Sequence, residues 1–336
     1  MTKYLATISF ILILSVTSYS QIALKLNFES GIHLSSNNYL DNHINSMYRI
    51  VGDLKGKFKS NNSTTSLSAK ISPEIIDGNI MSIRFNPKGM FVYYAENFVW
   101  NSILSFQHNS YNFLSNESNY NTFTIINGVK FNINKTLPAN ISLGYSYQNI
   151  NSEKIINSDY LFINALANKQ INNYFTYSYG IFIQNFTTKS ELGNRYQVIK
   201  SMGWMYGPQI KIHYLKHVVL NAEYKFLMEN SNYILYPSYE HQVKLLGGII
   251  LNKKFSFFLL VDFYYRRIKT NDKTTETNHF LLLPTRNRNQ LSLKTAYRFN
   301  KNLSFYFKTG YFRENLFLNN FKLEGLDLLI GMEFWN

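Results

Sequence analysis

From Gln21 onward, apolar and polar side chains alternate with a period of two, which restricts the chain to strands with two unlike faces. Leu291, Leu293, Thr295, Tyr297 and Phe299 share one face of such a strand, and Gln290, Ser292, Lys294 and Arg298 share the other. After a polar turn, Leu303, Phe305, Phe307, Thr309 and Tyr311 alternate with Ser304, Tyr306, Lys308 and Gly310. The same period sets Ile22, Leu24, Leu26 and Phe28 against Lys25, Asn27 and Glu29, and Ile141, Leu143, Tyr145 and Tyr147 against Ser142, Gly144 and Ser146. Helical periodicity is nearly absent over this stretch.

Connections between these runs come in two lengths. Short polar turns fall at 60–62, 95–97, 134–136, 171–173, 215–217, 252–254 and 300–302. Longer Asn- and Ser-rich links fall at 34–46, 74–79, 111–119, 151–157, 188–194, 230–236, 268–287 and 314–320. Short turns alternating with long links predict an up-and-down antiparallel β-barrel of about 16 strands. Pro73, Pro87 and Gly89 interrupt the pattern over 72–97, and if one strand is split there the count falls to about 14.

The greasy faces need a solvent. Only 16% of residues are charged and 17% are aromatic, with 26 Tyr and 27 Phe. A soluble chain carries roughly 25% charge. Hydrocarbon leaves no backbone group free to bond water, and a closed barrel pairs them all. Tyr147, Tyr265, Phe299 and Tyr311 at strand ends fit aromatic girdles at the two membrane boundaries. The N-terminus supports export: Lys3, the apolar run Leu5 to Val16, and the Ser18-Tyr19-Ser20 cleavage site read as a signal peptide over residues 1–20. That run is about 12 residues, short of the ~20 a spanning helix needs. The predicted organisation is therefore a cleaved signal peptide, 1–20, and one barrel, 21–336. The chain has no cysteine, which excludes disulfides, thiolate metal sites, cysteine nucleophiles and a lipidated N-terminal cysteine.

On these features the chain resembles a Gram-negative outer-membrane β-barrel protein of the porin-like class. The C-terminus carries the most specific part. Leu326, Leu328, Ile330, Met332 and Phe334 alternate to an aromatic residue, although Trp335 and Asn336 follow it. The resemblance implies that Leu328, Ile330, Met332 and Phe334 form the signal read by the barrel-assembly machinery. It implies residence in the outer membrane, with lipid around the barrel and other outer-membrane or periplasmic proteins as partners. The net charge of +14 is scattered singly along the strands rather than gathered into a basic arm or helix, so nucleic acid is not an expected partner.

With the greasy set facing lipid, the polar set lines the lumen. Arg49, Lys244, Arg266, Lys294, Arg298 and Lys308 are the candidate anion-binding residues, and four of them, Arg266, Lys294, Arg298 and Lys308, fall on three consecutive strands. Rings of Arg and Lys favour anions in pores. The plainer reading is that these cations pair with the inward carboxylates Glu29, Asp53, Glu223, Glu240, Asp262, Asp327 and Glu333. Inward positions also hold Leu246, Phe258, Leu260, Tyr264, Tyr306, Phe312 and Leu329, which either pack together or form a patch for an amphipathic ligand. Phe280 to Leu283, in the longest link, is too apolar to lie free in water; it either folds into the mouth or docks on a partner.

Gln107-His108-Asn109-Ser110 holds one further constellation. His108 and Ser110 share the lipid-facing parity of Trp100, Leu104 and Phe106. The pair resembles the H-x-S of outer-membrane phospholipases and lipid A deacylases, in which His is the base and Ser the nucleophile. The residues that usually follow the Ser there are absent, and the sequence assigns no third member. The plainer reading is a polar rim. The remaining histidines show no metal-ligand spacing, and no cofactor is implied. The function expected is passive passage of small solutes with a mild anion preference. The alternatives are a non-conducting barrel that anchors or scaffolds a surface or secretion complex, and a lipid hydrolase using His108 and Ser110.

Overall fold

A computed structural model describes residues 20–37, 40–113, 116–134, 137–151, 155–192, 197–232, 238–252, 254–267, 288–315 and 322–336. The expected signal peptide, save Ser20 at the start of the first strand, and the Phe280–Leu283 segment lie outside them. The chain forms sixteen strands: β1 Ser20–Asn37, β2 Leu40–Lys59, β3 Ser63–Ile76, β4 Asn79–Tyr94, β5 Phe98–Phe113, β6 Asn116–Asn134, β7 Leu137–Asn151, β8 Ile155–Gln170, β9 Phe175–Leu192, β10 Gln197–Leu215, β11 Val218–Ser231, β12 Ser238–Ile250, β13 Phe255–Arg267, β14 Arg288–Arg298, β15 Leu303–Asn315 and β16 Lys322–Trp335. Each pairs with its sequence neighbours, and β1 pairs antiparallel with β16 to close the barrel. The alternation therefore predicted the architecture and the larger of its two strand counts.

The doubtful stretch 72–97 holds β3 and β4. Pro73, Pro87 and Pro208 each lack an N–H, and each sits at a gap in the ladder to one neighbour: β2–β3 skips from Arg49↔Glu74 to Gly52↔Ile71, β4–β5 from Phe85↔His108 to Lys88↔Ser105, and β10–β11 from Tyr206↔Met228 to Gln209↔Lys225. Register is unchanged across each gap, so the sheet continues. The link expected at 74–79 is instead a two-residue hairpin turn, with Asp77 at φ 49° and Gly78 at φ 79°. Both central residues take positive φ, the geometry that matches strand twist and favours Asp-Gly. Elsewhere too the strands run on into the expected links, β1 to Asn37 and β2 from Leu40. Strands of this length outreach the 9–11 residues that cross hydrocarbon. Past the membrane edge, Asn- and Ser-rich backbone still pairs best with its neighbour.

At the other end, three turns repeat one device. The side-chain oxygens of Asn172, Asn252 and Asn300 accept from the backbone N–H groups two and three residues on, Tyr174 and Phe175, Lys254 and Phe255, and Asn302 and Leu303. An Asn closing on its own backbone adds to the backbone hydrogen bonds that already tie each turn. In an up-and-down barrel these short turns lie together at one end, opposite the longer links.

The outward face is apolar and exposed: Phe28, Ile50, Leu104, Ile141, Leu161, Trp204, Phe263, Leu293, Phe307 and Ile330 all present their side chains to the surroundings. This large unpartnered apolar belt on a closed barrel is a lipid-facing surface. Inside, rings lie over glycines on the next strand: Phe162 opposes Gly144, Phe186 opposes Gly203, Phe258 opposes Gly248 and Tyr306 opposes Gly331. A Cβ at Gly331 would overlap the Tyr306 ring. We therefore expect Gly331→Val to displace Tyr306 and lower the urea midpoint of the refolded, heat-modifiable barrel. Gly89→Ala, whose Cβ meets only the Leu67 side chain at 3.5 Å, should leave it near wild type.

Candidate functional site: the lumen wall and its mouth

The inward faces of β14 to β4, across the closure, carry one connected polar chain. Tyr306 on β15 reaches over Gly331 of β16 and donates to Glu29 Oε1 on β1 at 2.8 Å. Glu29 accepts from Arg49 of β2 at 2.8 Å, and Arg49 also donates to Glu74 of β3. Ser82 on β4 donates to Glu74 at 2.9 Å. Register explains the chain, because Glu29, Arg49, Glu74 and Ser82 are direct neighbours on successive strands. Beside it, Lys294 of β14 pairs with Glu333 of β16, and Lys25 lies 3.3 Å from the same carboxylate. Lys308 lies 3.9 Å from Glu29. Higher in the barrel, His33 and Asp327 meet at 2.8 Å, with the His33 ring stacked on Phe312 at 5.2 Å.

Of the six candidate anion-binding residues, Arg49, Lys294 and Lys308 thus lie against carboxylates. Lys244 stands in register between Glu223 and Asp262. Arg298 is exposed at the short-turn end, its guanidinium 5.7 Å from the Trp335 ring centre. Arg266 pairs with Glu240 in the ladder, and its side chain lies outside the described residues. Among the described residues the structure therefore presents an interleaved wall of both signs. The inward apolar residues divide: Tyr306, Phe312 and Leu329 are buried, whereas Leu246 and Leu260 border an open recess of ≈ 340 Å³ with Glu223, Lys244 and Asp262. The C-terminal residues Ile330, Met332 and Phe334 point outward on β16, the closing strand.

Two groups of side chains escaped the sequence reading. Lys70 of β3 and Lys88 of β4 are inward and exposed, in the very segment where prolines obscured the strands. The period of two through Glu74 and Arg84 was the signal that could have found them. The other is Asn121. It faces His108 directly in the β5–β6 ladder, and its Oδ1 lies 2.7 Å from His108 Nδ1 on the outward face. Nothing in the spacing of His108 and Asn121 showed this, since hairpin register places them together. No group of three or more His, Asp or Glu among the described residues is placed to hold a metal ion.

Arg49 is held on both sides by acids, so removing it strands two carboxylates. Breaking a buried ion pair from one side costs about 3–5 kcal/mol. Arg49→Met should therefore lower unfolding stability strongly, and Arg49→Met/Glu29→Gln/Glu74→Gln should recover most of the loss, as read from denaturant midpoints in one detergent.

Solved outer-membrane barrels resemble this one in fold. OccK11 (OpdR) from Pseudomonas aeruginosa aligns over 94% of this chain and 96% of its own, with 7% identity and a TM-score of 0.39. The ferric yersiniabactin uptake receptor FyuA from Yersinia pestis aligns over 95% and 80%, with 9% identity and a TM-score of 0.45. A bacterial polysaccharide outer membrane secretin aligns over 93% and 97%, with 9% identity and a TM-score of 0.39. No family model and no curated protein matches the sequence. Its own closed sixteen-strand barrel, apolar outside and polar within, gives the molecule the build of a membrane-spanning β-barrel.

Proposed function

We propose that the barrel is a passive pore for small solutes with a mild anion preference set by its exposed inward cations. The supporting observation is the exposure of inward side chains. Leu260 is apolar and inward, yet keeps 38% of its surface accessible. Inward Lys70, Lys88 and Asn221 are exposed as well. Side chains packed across a filled interior would be buried, so solvent-sized space adjoins these positions. A barrel of this strand number is wide enough for an aqueous channel. The cations that reach this space fall in two places: Lys70 and Lys88 midway along β3 and β4, and Lys254, Arg298 and Lys301 at the short-turn mouth. Fixed positive charge at a mouth raises the local concentration of anions. Arg49, Lys294 and Lys308, each beside a carboxylate, contribute less net field.

Single-channel recording in a salt gradient tests the reading. An open current that leans to anions, and shifts toward cations in Lys70→Glu/Lys88→Glu more than in Lys308→Gln, is the expected result. A silent bilayer from correctly folded protein overturns it and favours a barrel that anchors or scaffolds a surface or secretion complex.

A second reading, lipid hydrolysis, is favoured by the His108–Asn121 contact. With Nδ1–H donated to Asn121, Nε2 would take the Ser110 proton as the Ser110 oxygen attacks a lipid ester carbonyl, return it to the departing alcohol, and then activate the water that releases the fatty acid. This arrangement predicts release of fatty acid from phospholipid or lipid A vesicles, abolished in Ser110→Ala and reduced in Asn121→Ala with folding intact. Equal release by wild type and Ser110→Ala would sink it.

A further inference from the structure

A recess of ≈ 570 Å³ opens at the short-turn mouth between β13 and β16. That volume falls within the roughly 300–1,000 Å³ of small-molecule sites. Its walls combine two chemistries. Phe258, which covers Gly248, and Trp335 supply ring surface. Lys254, Arg298 and Lys301 supply positive charge. Among the described lining residues the one carboxylate is Glu333, and Lys294 and Lys25 already hold it. The recess therefore carries a net positive charge beside aromatic faces.

We propose that this recess binds small amphipathic anions: carboxylates that carry an aromatic or compact apolar group. The carboxylate meets Arg298 with Lys254 or Lys301, and the apolar group lies against Phe258 and Trp335. A hydrated inorganic anion gains nothing from the rings, and a cation is repelled. Phe258, Lys294, Ala296 and Ser304 occupy inward positions on their strands, so the occupant is a solute in the lumen rather than a membrane lipid. The site goes beyond passive passage, since it requires binding at the mouth and not conduction.

Trp335 is a built-in reporter. The chain has 3 Trp, at 100, 204 and 335, so Trp100→Phe/Trp204→Phe leaves it alone. The refolded, heat-modifiable barrel is titrated with phenylacetate, with phenylacetamide as the neutral match and sodium chloride as the ionic-strength control. The expected result is a saturable change in Trp335 emission with phenylacetate only. Arg298→Gln should weaken it by about tenfold, the scale of losing one charge-assisted contact, and Lys254→Gln/Lys301→Gln should weaken it too. No saturable change, an equal response to the amide, or an affinity unmoved by both sets of substitutions overturns the proposal. Conductance of the same preparation separates the two ideas. Binding with a silent bilayer removes the pore and keeps the site, and conduction without binding removes the site alone.

Discussion

The pairing of β1 with β16 is the constraint on which the rest of the structure depends. Within hydrocarbon, every unpaired N–H or C=O costs several kcal/mol, so a sheet there has no tolerable edge. The ladder from Lys25↔Trp335 to Asn37↔Leu323 removes the two edges a linear sheet would keep. Once closure is required, strand number is even, side chains divide cleanly between lipid and lumen, and prolines survive only as local gaps. Pro73, Pro87 and Pro208 each interrupt one ladder without shifting its register.

The closure is also where the interior invests its charge. Tyr306, Glu29, Arg49, Glu74 and Ser82 link β15 to β4 through the seam, passing over the glycine that makes room for the tyrosine ring. Charged pairs in a lumen are partly desolvated by their neighbours, and each needs its partner in place. The cations of this wall therefore act first as structural ties. The cations with space around them are others: Lys70 and Lys88 midway along β3 and β4, and Lys254, Arg298 and Lys301 at the short-turn mouth.

The lipid-facing side follows a different logic. Polar groups there meet hydrocarbon or headgroups, and a hydrogen bond between two of them is their cheapest arrangement. His108 and Asn121 satisfy one another across the β5–β6 ladder.

The alternation of side chains by itself determined the fold class, the face of nearly every strand residue, the positions of the turns and the membrane as solvent. These are properties of a period of two, and a period is local. The sequence also held the residues of the lumen wall, with both the anion-binding and the pairing reading open. Tertiary structure alone decided which cation meets which acid, because register joins residues far apart in the chain: Tyr306 and Glu29 are separated by 277 positions. It likewise joined Asn121 to His108, turned the expected link at 74–79 into a two-residue hairpin, and gathered Lys254, Arg298, Lys301 and Trp335 around one recess. Spacing along one strand tells which way a side chain faces, and only the ladder tells what it faces.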